Sequence, residues 1–263
     1  MKSWRQQYRR LLLEEPEEGL LEIILHNPET RNSLDAEGHG ELSRIWKDIH
    51  LDPEIRVVLI RGSGDHFSSG GDFSLVEAIA ADYATRERVF WEARDLVQNL
   101  LDCSKPVVAA VEGVAVGAGL AVALLADITV VSKTARLLDG HTRLGVAAGD
   151  HAVLIWPLLM GMARTKYHLL LNEPITGEEA ARWGLVALAV EEGEVLSKAR
   201  ELARRLLQGA PSALRFTKYA LNGWFRAHGA LFDTSAALEF LGFTGPEVQE
   251  GLRSHREKRP PRF

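Results

Sequence analysis

A single cysteine in 263 residues leaves no disulfide framework to read. Cys103 stands just before Ser104-Lys105-Pro106 with no histidine near it in sequence, so it reads as a small packed residue rather than a nucleophile, and its isolation fits a reducing compartment. Long apolar runs are missing too. Nothing approaches the length of a membrane span, and the opening MKSWRQQYRRLLLEE has neither the apolar centre nor the small-residue cleavage site of a secretory leader, which predicts a cytoplasmic protein without membrane contact. Positive charge is not in excess: 31 lysines and arginines against 36 aspartates and glutamates give a net charge of −5, a poor match for a nucleic-acid backbone. There is no H-E-x-x-H, P-loop or dinucleotide fingerprint, so no metal and no redox cofactor is expected. Low-complexity segments and close repeats are absent as well.

What is present is an ordinary globular composition, 46% hydrophobic and 25% charged, enough for one large domain with an appendage. Residues 7–26 alternate and then run apolar, which predicts a two-stranded hairpin closed by Asn27-Pro28. Ser33-Leu34-Asp35 caps a helix with Leu42, Ile45, Trp46 and Ile49 on one face, ended by Asp52-Pro53. A strand over 57–60 follows, then a helical stretch over 74–101 with Trp91, Leu96, Val97, Leu100 and Leu101 as its clearest apolar positions, then a strand over 107–111. Residues 113–119 read as a small-residue turn, 120–125 as a helix, 128–131 as a strand, and the next loop carries Asp139, His141 and Asp150. Residues 152–160 form an apolar helix interrupted at Trp156-Pro157, and 163–171 another; Thr176-Gly177-Glu178-Glu179 opens a short helix before a last strand over 185–190. From 195 onward the pattern is helical throughout: 195–208, 211–227, 230–242 and 246–257. The division is an α/β core over 1–194 and a helical region over 195–263. Apolar Leu214, Phe216, Tyr219, Trp224 and Phe225 suit packing on the core or on a neighbouring subunit. Alternating strands and helices argue for parallel pairing, and periodicity alone suggests a doubly wound sheet.

Two loops share one character. Gly117-Ala118-Gly119 leads into a helix, so backbone can approach a ligand closely while first-turn N–H groups and the positive helix end face it. His66-Phe67-Ser68-Ser69-Gly70-Gly71-Asp72 follows a buried strand, and its paired glycines can do the same. Singly, each is an ordinary strand-to-helix turn; together they supply the two N–H groups that an oxyanion hole for a thioester enolate requires.

Four stretches carry a family likeness. FSSGGDFS at 67–74 resembles the FxxGxD loop of the crotonase (enoyl-CoA hydratase/isomerase) superfamily. KPVVAAVEGVAVGAGLAVALLADITVVSKTARL at 105–137 resembles that family's longest signature, while NPETRNSLD at 27–35 and EKRPPRF at 257–263 resemble its two ends. The resemblance implies a crotonase-like spiral of ββα units with a trimer-forming helical tail, hence a homotrimer or dimer of trimers. It implies acyl-CoA substrates, with CoA entering as part of the substrate rather than as a cofactor, and the N–H groups of Gly71 and Ala118 on the thioester oxygen. Ser69, Gly71 and Asp72 would bind the CoA thioester, and the loop 68–71 together with basic tail residues its adenine and diphosphate. The family's hydratases carry one glutamate inside the glycine-turn helix and a second about twenty residues later. Those positions here are Ala121 and His141.

An alanine moves no proton, so the reaction needs another set. His141 is a surface loop histidine or takes the second glutamate's place. Asp150 caps the helix after it or acts in chemistry, His151 reads as structural, and Asp139 either orients His141 or favours a turn. Glu239, the one charge in an apolar part of the tail, sits on a solvated face or is delivered to the site by a helix folding back. In the functional reading, His141 shuttles a proton while Asp150 fixes its tautomer. A histidine paired with Asp150 in a glycine-rich loop also resembles the branch that hydrolyses cyclic β-diketones, and a non-catalytic acyl-CoA-binding protein is the third possibility.

Overall fold

The computed structural model describes residues 3–263. Nine strands form two sheets. The larger, in order β1 (Leu11–Glu17), β2 (Leu20–Leu25), β3 (Val57–Gly62), β4 (Val107–Val111), β6 (Ile128–Ser132) and β9 (Leu188–Val190), is parallel except for the β1–β2 hairpin. The smaller joins β5 (Val114–Val116), β7 (Arg136–Leu138) and β8 (Ile175–Thr176).

β2, β3 and β4 are predominantly apolar because both sheet faces are covered. Along them, Leu21, Ile23, Val58, Ile60, Val107 and Ala109 enter the main core, whereas Leu20, Val57, Leu59, Val108 and Ala110 enter a second cluster on the other face. That second face is closed by α9 (Val195–Leu207), which buries Val195, Ala199 and Ala203 on it. Fully buried Glu22 ties the two together: its carboxylate accepts from Arg61 and, at 2.9 Å, from Arg200 on α9. A carboxylate buried there without both guanidinium partners would be strongly destabilising.

On the main-core face α1 (Ala36–Leu51), capped by Asp35 through the Gly38 N–H, packs on α3 (Tyr83–Asp102) with Trp46 fully buried, and α3 in turn contacts α2 (Phe73–Ala81). The span 74–101 is therefore two helices, because Asp82 ends α2 and its side chain accepts from Thr85 N–H to start α3. Trp91 is 53% exposed, while Leu96, Val97, Leu100 and Leu101 are buried.

Two successive turns of chain repeat one unit. β4 in the large sheet, β5 in the small one and α4 (Gly117–Leu125) are followed by β6, β7 and the short α5 (His141–Leu144). Dividing the strands this way excludes a doubly wound sheet. β5 lies where the sequence reads only as a turn, since three residues are too few to show a period. Then come α6 (Ala152–Met160), α7 (Met162–Leu171) and α8 (Gly177–Trp183), the last opened by a Thr176/Glu179 capping box. α6 is not interrupted at Pro157, which lies inside it; buried Ile155 and Trp156 anchor that turn against the core.

The tail holds α9, α10 (Pro211–Leu221), α11 (Gly223–Arg226), α12 (Gly229–Gly242) and α13 (Pro246–Arg256). α12 packs on α3 and α6, and α13 on α2 and α5, so both reach the part of the core that carries the glycine loops. No helix among the described residues is long and apolar enough to cross a membrane.

Candidate active site

The two glycine loops lie against each other. Ser68 forms a parallel bridge with Ala115: its N–H donates to Val114 O at 3.0 Å, and Val116 N–H donates to Ser68 O at 3.0 Å. Two glycines permit this approach. At Gly70, where φ is +87°, a Cβ would lie 3.1 Å from Val116 O, and at Gly119 one would lie 2.5 Å from the Ser68 side chain. Any larger residue would push the loops apart.

Leu34 then fixes the next residue. Leu34 N–H donates to Gly70 O at 2.8 Å and Asp72 N–H to Leu34 O at 2.9 Å, so the intervening Gly71 turns its own N–H away from Leu34. None of the hydrogen bonds found among the described residues uses that N–H. Ala118 is the second residue of α4, whose first turn has no side-chain cap. Gly71 and Ala118, with Ser69, Gly70 and Gly117, line one cavity of about 230 Å³. Most of its wall is apolar: Leu75, Val76 and Ile79 from α2, Val89 from α3, and Phe240 and Phe243 from the tail.

The polar part of that wall comes from three places: His39 on α1, His141 at the start of α5 with Asp150 on the loop after it, and Glu239 on α12. His141 Nδ1 lies 3.0 Å from both oxygens of Asp139, whose side chain also accepts the His141 backbone N–H at 3.2 Å. The other ring nitrogen, Nε2, lies 3.5 Å from Glu239 Oε1 and 3.9 Å from Asp150 Oδ2. Asp150 in turn accepts from His151 Nδ1 at 2.6 Å. Glu239 Oε2 is buried without a protein partner, as is His151 Nε2.

Burial disfavours an imidazolium, yet the negative charge of Asp139, Asp150 and Glu239 outweighs it and holds the His141 pKa well above the ordinary histidine value. For Asp150 burial works against the carboxylate, but His151 and His141 reverse the balance and pull its pKa below the usual range. Glu239 goes the other way: burial, with Asp150 and Asp139 nearby, overcomes His141 and raises its pKa well above the ordinary glutamate value. The surroundings thus favour the protonated forms of His141 and Glu239 and the carboxylate form of Asp150. Donor atoms of His141, Asp150 and Glu239 lie within 4.8 Å of one another, as do those of Asp139, Asp150 and His151, close enough to share a cation.

Gly71, Ala118, Ser69, His141, Asp150 and Glu239 therefore meet at one cavity. Asp72 does not line it: its carboxylate caps α2, accepting from Ser74 N–H at 2.8 Å, which with the Ser74 hydroxyl lowers its pKa. Asp150 is not the helix cap, a position held by His151, and it does not fix the His141 tautomer, which Asp139 does. Nor is Glu239 on a solvated face; it is 4% exposed. His39 and its partner Glu92 were not anticipated, though a histidine at the spacing of Leu42, Trp46 and Ile49 on an apolar helix face was a readable signal.

The family model for enoyl-CoA hydratase/isomerase matches residues 15–263. Among curated relatives, the 1,2-epoxyphenylacetyl-CoA isomerase of Escherichia coli (strain K12) is 30% identical over 96% of this chain and 97% of its own length. The (E)-benzylidenesuccinyl-CoA hydratase of Thauera aromatica is 30% identical over 92% of this chain and 94% of its own. Among solved structures, an enoyl-CoA hydratase/isomerase from Mycobacterium paratuberculosis superposes with a TM-score of 0.89 at 30% identity, covering 93% of this chain and 98% of that one. The chain belongs to the enoyl-CoA hydratase/isomerase family, and its α/β architecture is the crotonase-like fold.

Proposed function

We propose that this protein moves protons beside the carbonyl of an acyl-CoA thioester, as a hydratase or isomerase whose acid–base set is His141, Asp150 and Glu239. One observation carries the reading: the His141–Asp150–Glu239 cluster opens into the same cavity as the Gly71 and Ala118 N–H groups. Those two donors would take the thioester oxygen as it becomes an enolate, a contribution of roughly a few kcal/mol each. In this reading His141 and Glu239, whose surroundings favour their protonated forms, act as proton donors, and Asp150 is the ionised member. The apolar wall fits an apolar acyl chain, with Ser69 at the rim and the basic residues of α13 toward the CoA phosphates. CoA is part of the substrate, and the cytoplasm supplies it.

Exposed Phe216, Tyr219, Leu221 and Trp224 on α10 and α11 form the face through which the chain assembles as a trimer or dimer of trimers. Light scattering at micromolar concentration tests this, and a stable monomer contradicts it. For the reaction, calorimetric titration with octanoyl-CoA is combined with deuterium exchange at the α and γ carbons of octenoyl-CoA in D2O. Binding with exchange supports the proposal. Failure to bind CoA thioesters points instead to carbon–carbon hydrolysis of a β-diketone, and binding without exchange to a non-catalytic role.

A further inference from the structure

We infer that His39 is a second proton-transferring residue of this cavity, a base supplied by α1 and held in register by Glu92. The inference rests on the acyl-CoA reading above and adds a group that the family resemblance did not mark.

His39 is 6% exposed, as a core histidine would be, but a core histidine has both ring nitrogens satisfied within the protein. Here only one is. Nδ1 lies 2.9 Å from Glu92 Oε2, whereas Nε2 has no hydrogen-bond partner among the described residues and the ring lines the cavity. Glu92 is held as well: Arg88 donates to its other oxygen at 2.5 Å. Although burial opposes it, hydrogen bonds and charge from His39 and Arg88 keep Glu92 below the ordinary glutamate pKa, hence ionised. With Nδ1 held by the Glu92 carboxylate, the ring turns Nε2 to the cavity. Another charged group near it is Asp150, which lines the same cavity.

Chemistry gives the residue its place. The His141 cluster comes from the chain after β7 and from α12, whereas His39 comes from α1, so the cavity is offered imidazole nitrogens by two separate elements. Enolate formation needs an acceptor. His39 Nε2 takes a proton from carbon, and the C–H electron pair moves into the enolate, whose oxygen lies at the Gly71 and Ala118 N–H groups. His141 Nε2 or Glu239 gives its proton to the other end of the conjugated system, and the enolate pair forms the new C–H bond. A proton passing from His39 back to the donor through solvent resets the site. No further reactant is consumed.

The test uses His39→Gln, His39→Ala and Glu92→Gln in the full chain. Octanoyl-CoA affinity is measured by calorimetry, and exchange at the α and γ carbons of octenoyl-CoA by NMR in D2O. The expected result is that His39→Gln binds octanoyl-CoA within about threefold of the wild type while exchange falls about 10²–10⁴-fold. Added imidazole restores part of the exchange in His39→Ala, and Glu92→Gln loses about tenfold through orientation alone. Should His39→Gln fail to fold, Glu92→Gln and the imidazole rescue decide. Exchange within threefold of the wild type in His39→Gln overturns the inference, as does loss of octanoyl-CoA affinity in step with exchange or absence of imidazole rescue. A wild type that binds no octanoyl-CoA overturns the acyl-CoA reading itself, and this inference with it.

Discussion

Glu239 Oε1 lies 3.5 Å from His141 Nε2, bringing a tail helix and the loop after β7 into one acid–base unit, while the second oxygen of Glu239 is buried with no protein partner. An ion pair would put a full negative charge beside Asp150, which already carries one. Burial and that repulsion raise the Glu239 pKa well above the ordinary glutamate value.

The pH dependence of Glu239→Gln follows. The folded state keeps a proton that the unfolded chain releases near the ordinary glutamate pKa of about 4.3. Below that pH wild type and variant are equally placed. As pH rises toward the folded pKa the wild type loses stability and the neutral glutamine does not, so the thermal midpoint of Glu239→Gln should overtake the wild type by a few degrees between pH 5 and pH 8. Scanning calorimetry across that range checks it; a wild type that gains on the variant as pH rises would mean an ionised Glu239 paired with His141.

Asp139→Asn addresses the other side of the ring. Among the groups that raise the His141 pKa, Asp139 is the largest, and it bonds Nδ1 as well. If His141 works as an acid, activity is lost as pH rises through its pKa, and lowering that pKa moves the loss to lower pH. Asp139→Asn should therefore shift the alkaline limb of the exchange-rate profile downward by at least one pH unit, about 1.4 kcal/mol. An unmoved limb would place the acid elsewhere.

Much of this was readable because local rules agreed with the fold. The Asp35 cap, the Thr176 capping box, the buried runs at β2 to β4 and the two glycine loops follow from residue type and spacing. What was not readable came from partners distant in sequence or from competition at close range. Asp150 had a helix to cap and a histidine to orient, but with His151 adjacent its carboxylate accepts from Nδ1 of that ring, and Asp139, two residues before His141, takes the orienting role. A charge at position 239 reads as solvated until α12 is seen to pack its Glu239 side on Gly149, where a Cβ would meet Ser235 O at 2.1 Å. His39 depends on Glu92, on a different helix.

The oxyanion assignment separates side chain from N–H at one residue. A Cβ built on Gly71 finds only Val76 Cγ2, at 4.0 Å, and Gly71 is not among the glycines with positive φ. Gly71→Ala keeps the N–H and should keep exchange within about threefold. Gly71→Pro removes it and should lower exchange by about 10²–10³-fold, the usual effect of deleting one such donor. Equal activity in the two variants would show that the Gly71 N–H does not hold the reacting oxygen.

Ala121 and His141, where the resemblance sets the two hydratase glutamates, provide the sharpest contrast between a drifted hydratase and a differently built site. Restoring Ala121→Glu and His141→Glu together would raise crotonyl-CoA hydration by orders of magnitude in a drifted enzyme, since each well-placed acid or base contributes roughly 10²–10⁴-fold. Ala121 argues against that outcome: it is 2% exposed in α4 and part of the main core. A glutamate there overfills a packed site, at a cost of about 1–3 kcal/mol, and buries a carboxyl that stays protonated for want of partners. Position 141 adds a second penalty, because a glutamate in place of the imidazolium would face Asp139, Asp150 and Glu239 with no positive charge among them. The double variant should thus melt well below the wild type and show little crotonyl-CoA hydration, whereas His141→Ala or Asp150→Asn alone removes most of the native exchange with a smaller loss of stability. Rates and melting curves for all three variants decide the matter, and vigorous hydration by the double variant would show that the acid–base set proposed for this cavity has been drawn from the wrong residues.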